Sequence, residues 1–320
     1  MLKALAAAMT ALNLIPGEET IRQDSKYTAA LAKQLEYVKT RTYDEVFPAF
    51  KARQLIPVSN EADSGAETIV YRSWTMTGMA QIIANYADDI PLVDALVEEF
   101  SQKVVGMALG WTYSIQDLRR SAMSGANLPT RKAMATRRGI EQRIEDMGAL
   151  GDSSVGMTGI ANNPNVTLVT PLTGTWSTAS GPQMVKDLLH LESSIVIANK
   201  ETFAPTTIVL DIASYNRLAS TRMSTTGDSN WTALKAFLDT AAYVTEVVSW
   251  NKLAKADASL TGPRAICYAK TPEVLTLEIP QEFETFPPQP KNFSFKVPAH
   301  ARCGGVVWYY PIGGGYMDGL

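Results

Sequence analysis

The sequence has 320 residues, of which 46% are hydrophobic, a formal charge of −3 and a pI near 5.6. That hydrophobic fraction is enough to build a sizeable core in one or two domains, and the mild acidity gives no overall electrostatic attraction to nucleic acid. The two cysteines, Cys267 and Cys303, form no CxxC pair and, with only two histidines in the chain, leave little material for a transition-metal site.

The first 57 residues are interpreted as an N-terminal arm. Residues 1–12 resemble a weak signal peptide in composition, but their apolar residues also recur at helical spacing, which favours an amphipathic arm that packs on another surface. A second helical stripe, from Tyr27 to Val38, needs a docking surface on the same chain or on a neighbour. No apolar run is long enough to span a bilayer, so the sequence predicts a soluble cytoplasmic product without membrane contact.

A β-rich stretch, Glu67–Met76, follows the arm, and Gln81–Ala87 could form the strand that returns beside it across Gly78. Both faces of the first strand mix apolar and polar residues, so a long hairpin of this kind would be poorly stable without a partner surface. An ordinary hairpin in a hydrophobic core fits the same pattern equally well.

Strict alternation between bulky and small residues marks residues 105–115 as a strand with one apolar face and one flat face. The flat face is open enough for a helix or another backbone to approach closely. A long helix comes next, because Pro129 suits a first turn and Gly148 and Gly151 suit an end, which predicts a rod of roughly 30 Å. We expect this rod to pack along the strand.

Alternating helix and strand patterns between residues 165 and 250 predict a small α/β domain. Its polar loop, Ser220–Asn230, is expected to be an exposed tip. In the tail, Phe293, Phe295 and Val297 alternate with polar residues, and Val306–Tyr310 is apolar on both faces, as is typical of strands buried on both sides. These strands are expected to join the sheet begun at residues 97–115. The glycine run Gly313–Gly315 is interpreted as a flexible end.

Common catalytic and phosphate-binding motifs are missing from the sequence. The triplet Gly151–Ser153 resembles the start of an esterase motif, but its serine needs a base. His300 is the one late candidate for that base, and Val297 stands where its acidic partner would be expected. A turn at the end of the helix explains the same triplet. We therefore predict no catalytic residue, no cofactor and no metal ligand.

Basic side chains on the long helix allow two interpretations. They form a mixed, solvated face with neighbouring acidic residues, or a surface that tolerates packed nucleic acid. The residues concerned are Arg131, Lys132, Arg137 and Arg138.

Three stretches carry a resemblance to a known family: Tyr113–Leu118 before the long helix, Gly156–Val166 after it, and Ala87–Pro91 at the base of the hairpin. Together with the order of the elements around them, they make the chain similar to tailed-phage major capsid proteins, which have the Hong Kong 97-like capsid fold. The resemblance implies an α+β fold with an N-terminal arm, an extended β-hairpin loop, a peripheral domain with a long spine helix, and an α/β axial domain.

The resemblance also implies domain boundaries and contact residues. The expected regions are an N-terminal arm at 1–57, an extended loop with its base at 58–95, a peripheral domain at 96–154, an axial domain at 155–269, and C-terminal strands returning to the peripheral domain at 270–320. The extended loop is expected to contact a neighbouring subunit through Ile69, Tyr71, Arg72, Trp74, Met76, Ile83 and Tyr86. The candidate axial tip comprises Arg222, Thr225 and Asp228.

By the same resemblance, the chain is expected to be a non-enzymatic virion protein that assembles in the host cytoplasm. It would form pentamers and hexamers of an icosahedral shell around dsDNA, which it would contact non-specifically. Separate scaffolding, portal and decoration proteins are possible partners. Two alternatives stay open: an encapsulin-like bacterial compartment, and a small α/β enzyme with a deep polar pocket.

Overall fold

The computed structural model describes residues 48–77, 92–124, 128–223, 231–254 and 262–320. The chain divides into two compact units, Met1–Ala49 and Phe50–Leu320, and all the helices and strands described here lie in the second unit. The α-helices of this unit are α1 (Ala52–Leu55), α2 (Ile115–Ser124), α3 (Leu128–Leu150), α4 (Gly181–Ala198), α5 (Ile212–Ser220) and α6 (Ala233–Thr240).

The strands fall into several small sheets. In chain order they are β1 (Val58–Ser59), β2 (Thr68–Thr77), β3 (Asp94–Lys103), β4 (Val105–Ser114), β5 (Gly151–Asp152), β6 (Met157–Thr158), β7 (Thr167–Val169), β8 (Thr207–Leu210), β9 (Glu246–Ser249), β10 (Arg264–Tyr268), β11 (Leu275–Glu278), β12 (Gln281–Thr285), β13 (Gln289–Lys291), β14 (Ser294–Cys303), β15 (Gly305–Trp308) and β16 (Gly314–Asp318).

The predicted hairpin is present, with a different second strand. All ten residues of β2 pair antiparallel with β3, from Thr68 opposite Lys103 to Thr77 opposite Asp94. The strand that returns beside β2 is therefore Asp94–Lys103. The stretch Gln81–Ala87, which the sequence suggested for that role, lies outside the described residues.

The long strand β4 pairs along its whole length with β14 from the C-terminal part of the chain, from Val105 opposite Cys303 to Ser114 opposite Ser294. This confirms that the stretch around Phe293–Val297 joins the first sheet. Gly110 permits the close approach of the two backbones, because a Cβ there would lie 2.9 Å from the carbonyl oxygen of Val297. The prediction for Val306–Tyr310 is wrong, because β15 pairs with β11 in a separate sheet with β1.

Helix α3 lies along β4 as predicted, but on the bulky face and not on the flat one. A Cβ added to Gly139 would lie 2.8 Å from Leu109, and the bulky β4 residues pack against the core formed by the buried face of α3. The flat face of β4 stays exposed. The helix also runs through Gly148, where the sequence suggested a stop, and ends before Gly151, whose φ of 72° favours glycine.

The predicted α/β unit is a five-stranded sheet in the order β7-β16-β10-β8-β9, with α4, α5 and α6 around its own apolar core. Its second strand, β16, contains most of the glycine run that was interpreted as a flexible end. That interpretation is wrong: Gly315 is buried, and a Cβ there would lie 2.8 Å from Ile195 of α4. The last residues of the chain thus join the α/β sheet and not the sheet of β4.

Candidate assembly surfaces

The hairpin β2–β3 is anchored to the rest of the unit at its base. Tyr71 stacks on Phe100 at 5.2 Å between ring centroids and meets the Tyr309 ring edge-on at 5.0 Å. Its hydroxyl donates to the carbonyl oxygen of Trp308 at 3.2 Å, and burial raises the pKa of this hydroxyl. Gln102 Nε2 donates to the carbonyl oxygen of Gly304 at 3.1 Å. These aromatic contacts and hydrogen bonds, the hairpin joint, fix the base of the hairpin to the body of the unit.

Two of the predicted contact residues belong to this joint. Ile69 and Tyr71 lie on the face of β2 that turns toward the chain's own body, and Ile69 Cδ1 lies 3.1 Å from where a Cβ on Gly304 would be. Because Tyr71 already has partners within its own subunit, the effect of substituting it does not measure contacts with a neighbour.

The opposite face of the hairpin carries apolar side chains that the described chain leaves uncovered. Trp74 is 61% exposed and lies across from Val97, which is also exposed, as is Val70 nearer the base. Arg72 lies on this face too, and its guanidinium pairs with the Glu99 carboxylate at 3.1 Å. An uncovered apolar surface of this kind is typical of a protein interface.

Further apolar residues lie at the start of β3 and on its other face. Leu92 and Val93, which precede β3, are strongly exposed, and so is Leu96 within it. Met76 belongs to β2, whereas Ile83 and Tyr86 lie outside the described residues. The hairpin thus presents apolar side chains on both faces beyond its anchored base.

The four basic residues predicted on the long helix have different surroundings. Lys132 Nζ donates to the carbonyl oxygen of Thr112 at 2.8 Å. The guanidinium of Arg137 lies 6.0 Å from the ring centre of Phe283, and that of Arg138 lies 5.5 Å from the ring centre of Phe50. The side chains of Lys132 and Arg138 are half-buried, while Arg131 and Arg137 are exposed. Two further exposed arginines, Arg119 and Arg120, lie on the preceding helix α2 and were not among the predicted basic residues.

The candidate axial tip is described only at its base. Arg222 forms an isolated antiparallel bridge with Thr232, and the backbone N–H of Met223 donates to the carbonyl oxygen of Trp231 at 3.1 Å. Thr225 and Asp228 lie outside the described residues. The two ends of the loop are therefore held together between the end of α5 and the start of α6.

The residues that suggested an esterase have structural roles. Asp152 Oδ1 accepts hydrogen bonds from the Ser154 backbone and hydroxyl, which lowers the pKa of Asp152, and the segment forms a turn after α3. His300 Nδ1 lies 3.1 Å from Gln281 Oε1. Burial raises the pKa of Cys303 to about 11 and also raises that of Cys267, so neither thiol is poised as a nucleophile.

Several grooves open on the surface that the described residues form, and two of them differ in size and lining. The larger, about 880 Å³, lies at the base of the hairpin beside β1 and β11. The smaller, about 470 Å³, runs along α4 and is lined mainly by apolar residues. Within the described ranges, no group of three or more His, Cys, Asp or Glu side chains could hold a metal ion, and none of the helices there is long and apolar enough to cross a membrane.

Solved phage capsids share this fold over nearly the whole chain. A chain of the capsid of Myoviridae phage XM1 matches with a TM-score of 0.79 at 19% identity, covering 90% of this chain and 98% of that one. A chain from Mycobacterium phage Adephagia gives 0.64 at 11% identity, covering 91% and 96%. A virus-like particle from Pyrococcus furiosus gives 0.50 at 11% identity, covering 83% and 91%. The predicted α+β capsid fold is confirmed.

The amino-acid sequence also shows the family to which the chain belongs. No curated protein matches the chain. Residues 78–320, most of the chain, match the family described as major capsid protein, which confirms the resemblance inferred from the sequence. This chain belongs to the major capsid protein family.

Proposed function

We propose that this chain forms the icosahedral head shell of a tailed bacteriophage, with copies arranged as pentamers and hexamers around packaged dsDNA. The observation that carries the proposal is the anchored hairpin with apolar side chains on both faces. A protein that functions alone gains nothing from such an extended surface, whereas a shell subunit needs large, partly apolar contacts with its neighbours.

In this proposal the predicted regions keep their roles. Residues 1–57 are the arm, 155–269 the axial domain and 270–320 the returning strands. The extended loop and its base, predicted at 58–95, are extended to residue 103 in this proposal, because β3 (Asp94–Lys103) pairs with β2 along its whole length. The peripheral domain, predicted at 96–154, then begins after β3. The position of β16 in the α/β sheet supports moving the last residues to the axial domain. The loop that begins at Arg222 is the candidate tip around the five-fold and six-fold axes.

The proposed role is structural and not enzymatic, with the virion as the final location and the host cytoplasm as the site of assembly. Scaffolding, portal and decoration functions would come from separate proteins. The exposed Arg131 and Arg137 support a non-specific contact with packaged DNA, because guanidinium groups bind phosphate oxygens without reading sequence.

An encapsulin-like compartment is the alternative within the same fold. It is separated from a phage head by the contents of purified particles, since a compartment would enclose a protein cargo and a head would protect DNA from nuclease. The match of residues 78–320 to the major capsid protein family and the similarity to the phage XM1 capsid support the phage head.

The intersubunit role of the hairpin is tested by truncating the side chains on its exposed apolar face. Trp74→Ala combined with Val97→Ala should leave the subunit folded, because both side chains are exposed, but should lower the yield of closed particles by about tenfold or more. Particle yield is measured by sedimentation and electron microscopy, and folding by circular dichroism. Leu168→Ala, at an exposed position of β7 in the α/β sheet, is the matched control. Normal assembly of the double variant would contradict an intersubunit role for this face.

A further inference from the structure

The larger surface groove lies where the hairpin leaves the body, and we call it the hairpin-base groove. Residues of β2 form one wall, and the segment around β1 forms another. The floor is β11. Leu275 and Leu277 of this strand belong to the hydrophobic core, so the alternating residues Thr276 and Glu278 face the opposite way, into the groove.

A buried carboxylate lies on this floor. Glu278 is only 2% exposed, and its Oε1 accepts hydrogen bonds from the Thr276 hydroxyl at 2.7 Å and the Tyr309 hydroxyl at 3.2 Å. No Lys, Arg or His of the described chain forms an ion pair with Glu278; the nearby Arg72 is already paired with Glu99. Burying a carboxylate without a cation is costly, which suggests that the cation comes from elsewhere.

The other residues of the groove complement a binding partner that carries both cationic and apolar side chains. Glu61 and Glu273 add two exposed carboxylates at its rim. Tyr310 and Phe203, whose ring centroids lie 5.0 Å apart, supply aromatic surface near them. Aromatic faces attract guanidinium groups and methionine sulfur.

Helix α2 carries the complementary chemistry. Arg119 and Arg120 are exposed, and Met123 is 94% exposed. Arg120 has the Asp117 carboxylate of the same helix as an electrostatic neighbour. The helix is held firmly at its start, because the Ser114 hydroxyl accepts from the Asp117 backbone while the Asp117 carboxylate accepts from the Ser114 backbone. It is thus a capped helix with two exposed basic side chains and an uncovered apolar one.

The two surfaces of one subunit lie at opposite ends of β4. The groove lies beside the hairpin, whose last strand leads into Val105, while α2 begins directly after Ser114. Ten residues of extended chain span roughly 33 Å, so a subunit's own α2 does not reach its own groove. A neighbouring copy can supply the helix.

We infer that α2 of a neighbouring copy docks in the hairpin-base groove, with Arg119 and Arg120 against the exposed carboxylates of Glu61 and Glu273 and attracted as well by the buried charge of Glu278 beneath them. The inference rests on the proposed shell and adds to it a specific receiving surface. Because helix and groove are different surfaces, the contact is head-to-tail, and repeating it by a closed rotation generates a ring of subunits.

Charge reversal with rescue tests this contact. Arg119→Glu with Arg120→Glu should lower particle yield by about tenfold or more, and Glu61→Lys with Glu273→Lys should do the same, because each brings like charges together. The chain carrying all four substitutions restores opposite charges and should assemble to within about threefold of the wild type. Lys291→Glu, an exposed reversal elsewhere, is the control and should assemble normally.

A second variant tests the floor of the groove. Glu278→Gln keeps the acceptor for Thr276 and Tyr309 but removes the buried charge, so the melting temperature of the isolated subunit should stay the same or rise while particle yield falls. Failure of the four-substitution chain to assemble better than its parents, or normal assembly of Glu278→Gln, would overturn the inference. Both results presuppose wild-type particles; if the wild type forms none, the proposed function fails as well.

Discussion

At the residue scale, buried carboxylates join elements that are distant in sequence. Glu145 of α3 is the best example. It accepts hydrogen bonds from the backbone N–H groups of Lys51 and Ala52, at the start of α1, and from Trp250 Nε1 at 2.7 Å. One side chain thus caps a short helix and satisfies a buried indole, which explains why a charged residue lies on the buried face of the long helix.

Removal of this carboxylate should be costly. Glu145→Ala leaves several buried donors without an acceptor, and we expect it to lower the free energy of unfolding by about 3 kcal/mol. Glu141→Ala, on the same helix and paired with Arg53 at the surface, should cost less than about 1 kcal/mol. Denaturant unfolding of the unassembled subunit measures both. Equal effects would show that the Glu145 network does not stabilise the fold.

At the element scale, the sequence pattern predicted those helices and strands in which each face has the same surroundings from one end to the other. Strict alternation identified β4, and the flanking Pro129 and Gly151 identified α3. The return strand β3 was missed because each of its faces mixes charged and apolar residues, as expected for a strand in a two-stranded hairpin outside the core. β16 was missed because three consecutive glycines suggest flexibility, whereas here they let α4 and Trp308 approach the sheet.

The hairpin joint gives a prediction at this scale. Tyr71→Ala removes the aromatic contacts and the hydrogen bond to Trp308, and should lower the free energy of unfolding of the unassembled subunit by about 2 kcal/mol. Trp74→Ala, three residues further along the exposed part of the same strand, should change it by less than about 0.5 kcal/mol. Thermal or denaturant unfolding measures the difference. If Trp74→Ala were the more destabilising change, the hairpin would be anchored through the other face.

At the scale of the whole molecule, the order of the elements predicted the capsid fold better than any single motif did. The candidate contact surfaces were harder to predict. Periodicity indicated that the hairpin has apolar side chains on both faces, but only the three-dimensional arrangement separates the anchored Tyr71 from the exposed Trp74. The hairpin-base groove brings together Glu61, Glu273 and Glu278. Because Glu61 lies far along the chain from the other two, no motif in the sequence indicates this groove.

The central claim is that copies of this chain bind one another to form a closed shell. Electron microscopy of the purified, expressed protein tests it most directly. We expect closed particles of uniform size with five-fold and six-fold clusters of subunits. A stable, compact monomer of 34.8 kDa that forms no particles at any concentration or salt would contradict it.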